Sequence, residues 1–231
     1  MESKNNDELA LRKASTYEIK FPDNEYLSKS QKKRIQRAVK EGGISIGNET
    51  YISDDELPKL LSADRKGVTN IMIEAPPEDL RTIGDTEYMS TPQLQKEISR
   101  KRQQPRSLTE QEKLGYAMGC VDAFSNNPEL NKRRAIEAEK IAKERISLGK
   151  KVIKERQSTV SELSGRPLEN GAEVHHKDRV ADKPERALDR TNLTVIRGDE
   201  HQEYHSSDYL QNEKGYSQFE EDYKKENGYN S

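Results

Sequence analysis

The scarcity of large apolar side chains constrains this chain more than any other feature. Leu, Ile, Val and Phe together number 42 of 231 residues, about 18%, where roughly 20% is the level below which a highly charged chain struggles to fill a core. With 35% charged residues and no Trp, one well-filled globule is excluded in favour of small cores joined by extended or solvent-facing helical segments. The length allows one or two domains. No run approaches the ~18 apolar residues of a membrane span. The opening Met1-Glu2-Ser3-Lys4 has neither a basic n-region nor an apolar h-region. The expectation is a cytoplasmic protein with no membrane partner, delivery into another cell being left open. A single cysteine, Cys120, excludes an intramolecular disulfide and a multi-cysteine zinc knuckle.

The formal charge of −2 averages blocks of opposite sign. Lys29–Lys40, Gln95–Arg106 and Glu129–Gln157 are basic, whereas Asn48–Ser90 and Asp199–Ser231 are acidic. Basic blocks can meet a polyanion locally although the whole chain is almost neutral. They are equally what solvated helix faces look like.

Residues 1–27 read as a flexible N-terminus, and 28–98 as a small α+β module. Ser28 with Gln31 fits a capping box opening a basic helix to about Glu41. Ile44–Ile46, Gly47-Asn48 and Thr50–Ile52 then read as a hairpin with a tight turn. A second box, Ser53 with Glu56, starts a short helix through Leu60-Leu61. The pattern suits a small DNA-binding unit or an αβ module with an exposed charged helix. Residues 62–107 are read as loops and linker, because Pro76, Pro77, Gly84, Pro92 and Pro105 interrupt them, with a basic linker at 99–108. Thr109 with Glu112 fits a third box. Within the helical region 109–157, Pro128 is placed as the first residue of a long basic helix capped by Asn127. Ala138, Ala142, Ile146, Gly149 and Ile153 form one face of it, with Ile141, Leu148 and Val152 beside them. No internal repeat is read.

All four histidines, His175, His176, His201 and His205, fall in one short window. Glu173–Lys177 and Asn192–Ile196 read as strands, and Asp199 with Gln202 as the cap of a following helix. His201 and His205, at i and i+4, share a helical face and can grip one metal ion. A third imidazole from the first strand leaves a coordination position open, the pattern of catalytic sites. Adjacent strand residues point to opposite faces, so His175 and His176 cannot easily share an ion. One of them is available as a base, and an imidazole pKa near ~6.5 suits that near neutrality. Asn192 and Glu173 are candidates to orient it.

Glu173-Val174-His175-His176, Asn192, His201 and His205 resemble the HNH endonuclease family, also called ββα-metal or His-Me finger, and especially the His-His form of colicin nuclease domains. The similarity spans Val160 to Ser207, and it implies a fold class of α+β, mostly helical, with a C-terminal ββα-metal nuclease core at 158–207. It also implies one divalent ion held by His175, His201 and His205, with His176 as general base. Asn192 would constrain the loop and orient that base, and Glu173 would support the site. Where many relatives carry a zinc-binding Cys pair, Ser161 and Ser164 stand at the same spacing. An arginine from outside the core motif is expected by resemblance, with Arg166 and Arg179 as candidates.

The function expected is therefore hydrolysis of DNA phosphodiesters, RNA not being excluded, with zinc, nickel, magnesium or manganese as the ion. A non-catalytic metal-stapled binding module is the alternative. Nucleic-acid contacts are expected from Lys32, Lys33, Arg34, Arg37, Arg133, Arg134, Lys150, Lys151, Arg166, Lys177 and Arg179. A phage or mobile-element nuclease, a defence effector, and a toxin with an immunity or regulatory protein partner fit equally. The acidic tail at 208–231, with Tyr209, Tyr216 and Tyr223 seven residues apart, reads as a solvated, partly disordered end rather than as a partner-binding helix.

Overall fold

Ser28 opens the first helix by the reciprocal bonds its spacing implies: Gln31 N donates to Ser28 Oγ (3.3 Å) and Ser28 N to Gln31 Oε1 (2.9 Å). This helix, α1 (Lys29–Gly42), buries Ile35, Ala38 and Val39 and leaves its cations outside. The computed structural model describes residues 11–168, 171–211 and 215–228. It is an α+β chain, 58% helical with small antiparallel sheets. The chain divides into two compact units, Met1–Ala135 and Ile136–Ser231.

In unit 1, β1 (Arg12–Lys13) pairs with β2 (Gly43–Ile46), which forms the expected hairpin with β3 (Glu49–Ser53). The helices α2 (Leu57–Leu61) and α3 (Arg65–Glu74) follow, then a second hairpin, β4 (Leu80–Ile83) and β5 (Thr86–Ser90). The sheet order is β1-β2-β3-β5-β4, every pairing antiparallel. Helices α4 (Thr91–Arg102) and α5 (Leu108–Ser125) close the core, into which α1, α2, α4 and α5 send residues such as Val39, Leu60, Leu94 and Phe124.

Several expectations are corrected here. Ser53 ends β3 and cannot cap α2, whose preceding residue, Glu56, makes no side-chain cap bond. The cap of α5 is Ser107 with Glu110, two residues before the expected pair. The stretch 62–107 is ordered structure: Pro76-Pro77 joins α3 to β4, Gly84 sits in the hairpin turn, and Pro92 lies in the first turn of α4. The breakers therefore separate elements instead of dissolving them. The basic run of the expected linker is largely the last turn of α4, where Arg100, Lys101 and Arg102 complement the helix dipole. In the N-terminal segment read as flexible, residues 1–10 lie outside the described residues, whereas Ala14, Tyr17, Ile19 and Leu27 are buried in the unit 1 core.

An internal repeat, unexpected from the sequence, is present. In each hairpin a two-residue turn begins with glycine at positive φ, Gly47 (+57°) and Gly84 (+61°), the conformation a II′ turn requires at its first position. Around them Ile46-Gly47-Asn48 matches Ile83-Gly84-Asp85. The repeat continues through Tyr51 and Tyr88, Ser53 and Ser90, and Leu57 and Leu94, and each copy ends in a helix.

In unit 2 lies most of α6 (Pro128–Arg156), capped by Asn127 Oδ1, which accepts from Glu129 N (3.0 Å). Its buried residues are Leu130, in the unit 1 core, and Leu148 and Val152 in unit 2. Ile146, expected on the apolar face, is 87% exposed, because the packed seam follows the i, i+4 pair Leu148 and Val152 instead. Strands β6 (Ala172–His176) and β7 (Leu193–Arg197) form an antiparallel pair, and α7 (Gly198–Ser206) follows directly. The tail is not a solvated end: α8 (Gly215–Glu226) buries Tyr216, Phe219 and Tyr223 against Leu163, Ile196 and Tyr204. Residues 212–214 and 229–231 lie outside the described residues.

Candidate metal centre

Strand β6 carries Glu173, His175 and His176, and its register with β7 sets His175 opposite Thr194 and His176 opposite Leu193. The His175 ring is 8% exposed and packs against Tyr204 of α7 (4.8 Å between centroids) and Tyr216 of α8 (4.9 Å). These rings immobilise it. Its Nε2 is buried without a partner, while Nδ1 faces His201 Nε2 at 3.0 Å.

The two helix histidines complete the cluster. His205 Nε2 lies 2.9 Å from His201 Nε2. One ring nitrogen from each of His175, His201 and His205 can be chosen so that all lie within 4.8 Å of one another, and the three could hold a metal ion. Glu173 contacts the remaining nitrogen of His201, Nδ1. A carboxylate only accepts, so Nδ1 carries the proton and Nε2 presents its lone pair to the centre. Burial, then the neighbouring His201, His205 and His176, pushes the His175 pKa down to about 3. Burial and His201 also lower that of His205. Metal ligation requires neutral imidazoles, and the donor set therefore fits a divalent ion.

His176 is held apart from the cluster. Its Nε2 lies 2.8 Å from the carbonyl oxygen of Ala187, in the loop joining β6 to β7. Since a carbonyl only accepts, the proton sits on Nε2 and Nδ1 is left as an acceptor. Asn192, fully buried, ties that loop together. Its Oδ1 accepts from Asp178 N (2.7 Å), and its Nδ2 donates to the carbonyls of Asp178 and Arg186 (3.2 Å each). Arg186 also pairs with Asp178 and Asp189. Asn192 thus holds the loop that carries Ala187, the partner of His176, and makes no hydrogen bond to His176 itself.

A second constellation went unread in the sequence. Glu200, the third residue of α7, is fully buried. It accepts from Ser161 Oγ (2.5 Å), Ser164 Oγ, Arg166 Nη2 (2.9 Å) and Arg197 N (3.1 Å). Burial raises its pKa, but these donors outweigh it and the net shift is downward. A hydrogen-bonded carboxylate thus fastens the segment 161–166 to the start of the helix bearing His201 and His205. The signal lay in Arg197 and Glu200, which the Asp199–Gln202 cap reading displaced by two residues.

The expected nucleic-acid contacts divide by environment. Lys33, Arg34, Lys150, Lys151, Lys177 and Arg179 are exposed, Arg179 lying 3.5 Å from Asp182. Lys32, Arg37 and Arg133 are paired with Asp23, Glu41 and Glu129. Arg134 is half-buried and donates to the carbonyls of Asn48 (2.9 Å) and Ser125 (2.7 Å), and Arg166 donates to Glu200 and Tyr223. Among the described residues no helix is long and apolar enough to cross a membrane. No family model, curated protein or solved structure matches this chain.

Proposed function

We propose that this chain is a metal-dependent endonuclease of the HNH type, hydrolysing DNA phosphodiesters at the histidine centre of unit 2. The observation that carries this reading is the separation of tasks between adjacent histidines. His175 joins His201 and His205 in a cluster of convergent nitrogens, while His176 is anchored through Nε2 to the Ala187 carbonyl with Nδ1 available. A binding module stapled by metal has use for the first arrangement and none for the second.

His175, His201 and His205 would hold the ion, and three imidazoles favour a borderline metal such as zinc or nickel, with magnesium or manganese able to serve in assay. Bound there, such an ion would supply Lewis-acid stabilisation of the negative charge that develops on the phosphodiester. His176 Nδ1 takes one proton of the attacking water as its oxygen bonds phosphorus, the bond from phosphorus to the 3′ oxygen breaks, and the leaving 3′ oxygen takes a proton from solvent, giving a 5′-phosphate and a 3′-hydroxyl. Asn192 keeps the loop that fixes the His176 tautomer, and Glu173 keeps the tautomer of His201.

The test is plasmid, linear DNA and RNA incubated across a divalent-metal panel, with His176→Ala alongside. Cleavage is expected to disappear on chelation and to return with only some metals. His176→Ala should lose about 10²–10⁴-fold in rate while binding zinc as the parent does. Cleavage by His176→Ala at the parental rate, or cleavage surviving exhaustive dialysis against chelator, would overturn the mechanism.

A further inference from the structure

The second and third helices of unit 1 have a geometry that the metal centre does not use. α2 ends at Ser62, whose φ of 46° is left-handed, and Asp64 caps α3 by accepting from Gly67 N (2.8 Å). Two packed helices are thus joined by the three residues Ser62-Ala63-Asp64, the connection of a helix-turn-helix. Leu57, Leu60 and Leu61 on α2 and Val68, Ile71 and Met72 on α3 fill the core between them. α1 precedes this pair, and the hairpin β4–β5 follows it, returning to β3 in the order β3-β5-β4. A helix-turn-helix preceded by a helix and a strand and followed by a hairpin that pairs back onto that strand is the winged arrangement.

The outward face of α3 bears what such a helix needs. Lys66, Thr69, Asn70 and Ile73 follow one another at i, i+3, i+4 and i+7, all exposed and with no carboxylate among them. Ile73 is 77% exposed on an otherwise polar surface. Lysine and asparagine are readers of guanine and adenine edges, and an aliphatic side chain suits the thymine methyl. Around the start of α3, Arg34 of α1 and Lys113 of α5 line the same depression as Ser62, Ala63 and Asp64, with Lys33 on the adjoining groove. Lys33, Arg34, Lys66 and Lys113 make no ion pair among the described residues. Cations outnumber carboxylates on this flank, where Lys33, Arg34, Arg37, Lys59 and Lys113 stand beside Glu41, Asp64 and Glu110. On the other side, Asp54 and Glu87 outnumber Arg65 in the groove between α3 and the hairpin, so phosphates belong to the α1 flank.

We propose that unit 1 is a winged helix-turn-helix that binds double-stranded DNA, with α3 in the major groove and Lys33, Arg34 and Lys113 against the backbone. This goes beyond the nuclease reading and does not depend on it. It also places base contact on α3 and leaves α1, whose charge suggested nucleic-acid contact, to the backbone.

The full chain in EDTA, where cleavage cannot intervene, is taken through rounds of selection on a random pool of duplexes about 30 base pairs long, and binding is followed by anisotropy between about 50 and 200 mM salt. A preferred sequence should emerge. The double variant Lys66→Ala, Asn70→Ala should lose about tenfold or more on the selected duplex and little on an unselected one. Arg34→Ala should weaken both and reduce the salt slope by about one. Thermal melts confirm that the variants are folded. No enriched sequence, equal binding by parent and double variant, or a preference for single-stranded DNA or RNA over duplex overturns the proposal. Absence of cleavage with sequence-selective binding intact sinks the nuclease reading alone.

Discussion

Glu173 is a small part of the metal centre with a large lever. Its carboxylate contacts His201 Nδ1 and so decides which nitrogen of that ring is a lone pair. Glu173→Gln keeps the shape and removes the charge, and zinc affinity by calorimetric titration should fall about 10–100-fold. Unchanged affinity would show that His201 is oriented by its neighbours alone. At this scale much of the centre was legible, because an i, i+4 pair on a helix and an adjacent pair on a strand have only a few geometric meanings. Glu200 was not legible. Its burial depends on Ser161, Ser164 and Arg166, which are distant in sequence, and a surface-type residue at a helix start looks like a cap and nothing more. The loop role of Asn192 became specific only once its partners Asp178 and Arg186 were visible.

Among the elements, α8 shows how local polarity misleads. Half of its residues are charged, yet Tyr216, Phe219 and Tyr223 fall on one face and are buried. Phe219 touches Tyr204, Tyr209, Tyr216 and Tyr223 at ring separations of 5.1 to 6.0 Å, so it ties the tail to the helix of the metal centre. Phe219→Ala should cost about 3–5 kcal/mol, read as an earlier unfolding transition for unit 2 in chemical denaturation with that of unit 1 unmoved. A single unshifted transition would mean that α8 adds little to the fold. The hairpins illustrate the converse. Gly47-Asn48 was readable as a turn from its flanking apolar residues, whereas Gly84-Asp85 lies between charged and half-exposed residues and was lost among prolines.

Across the molecule, chain composition follows the division into units. Cys120 lies in the core of unit 1, where burial pushes its pKa up to about 12 from 9.0, its contact with Tyr116 opposing only in part. Between those values the unfolded chain gives up the thiol proton and the folded chain keeps it. Unit 1 should therefore lose stability as pH rises through that window and be indifferent to this group below it. Below pH 9.0 Cys120 should resist alkylation in the native protein and react once unit 1 is unfolded by urea, as mass spectrometry can follow. Fast native labelling would contradict the burial. Unit 2, Ile136–Ser231, contains neither cysteine nor methionine. With the segment 161–166 fastened by Glu200, Ser161, Ser164 and Arg166, the framework around the histidines has no sulfur for an oxidant to attack. Peroxide that would dismantle a thiolate-bound zinc staple would find no such target in the bonds of Glu200, so the segment 161–166 should stay fastened where a cysteine-held scaffold would come apart.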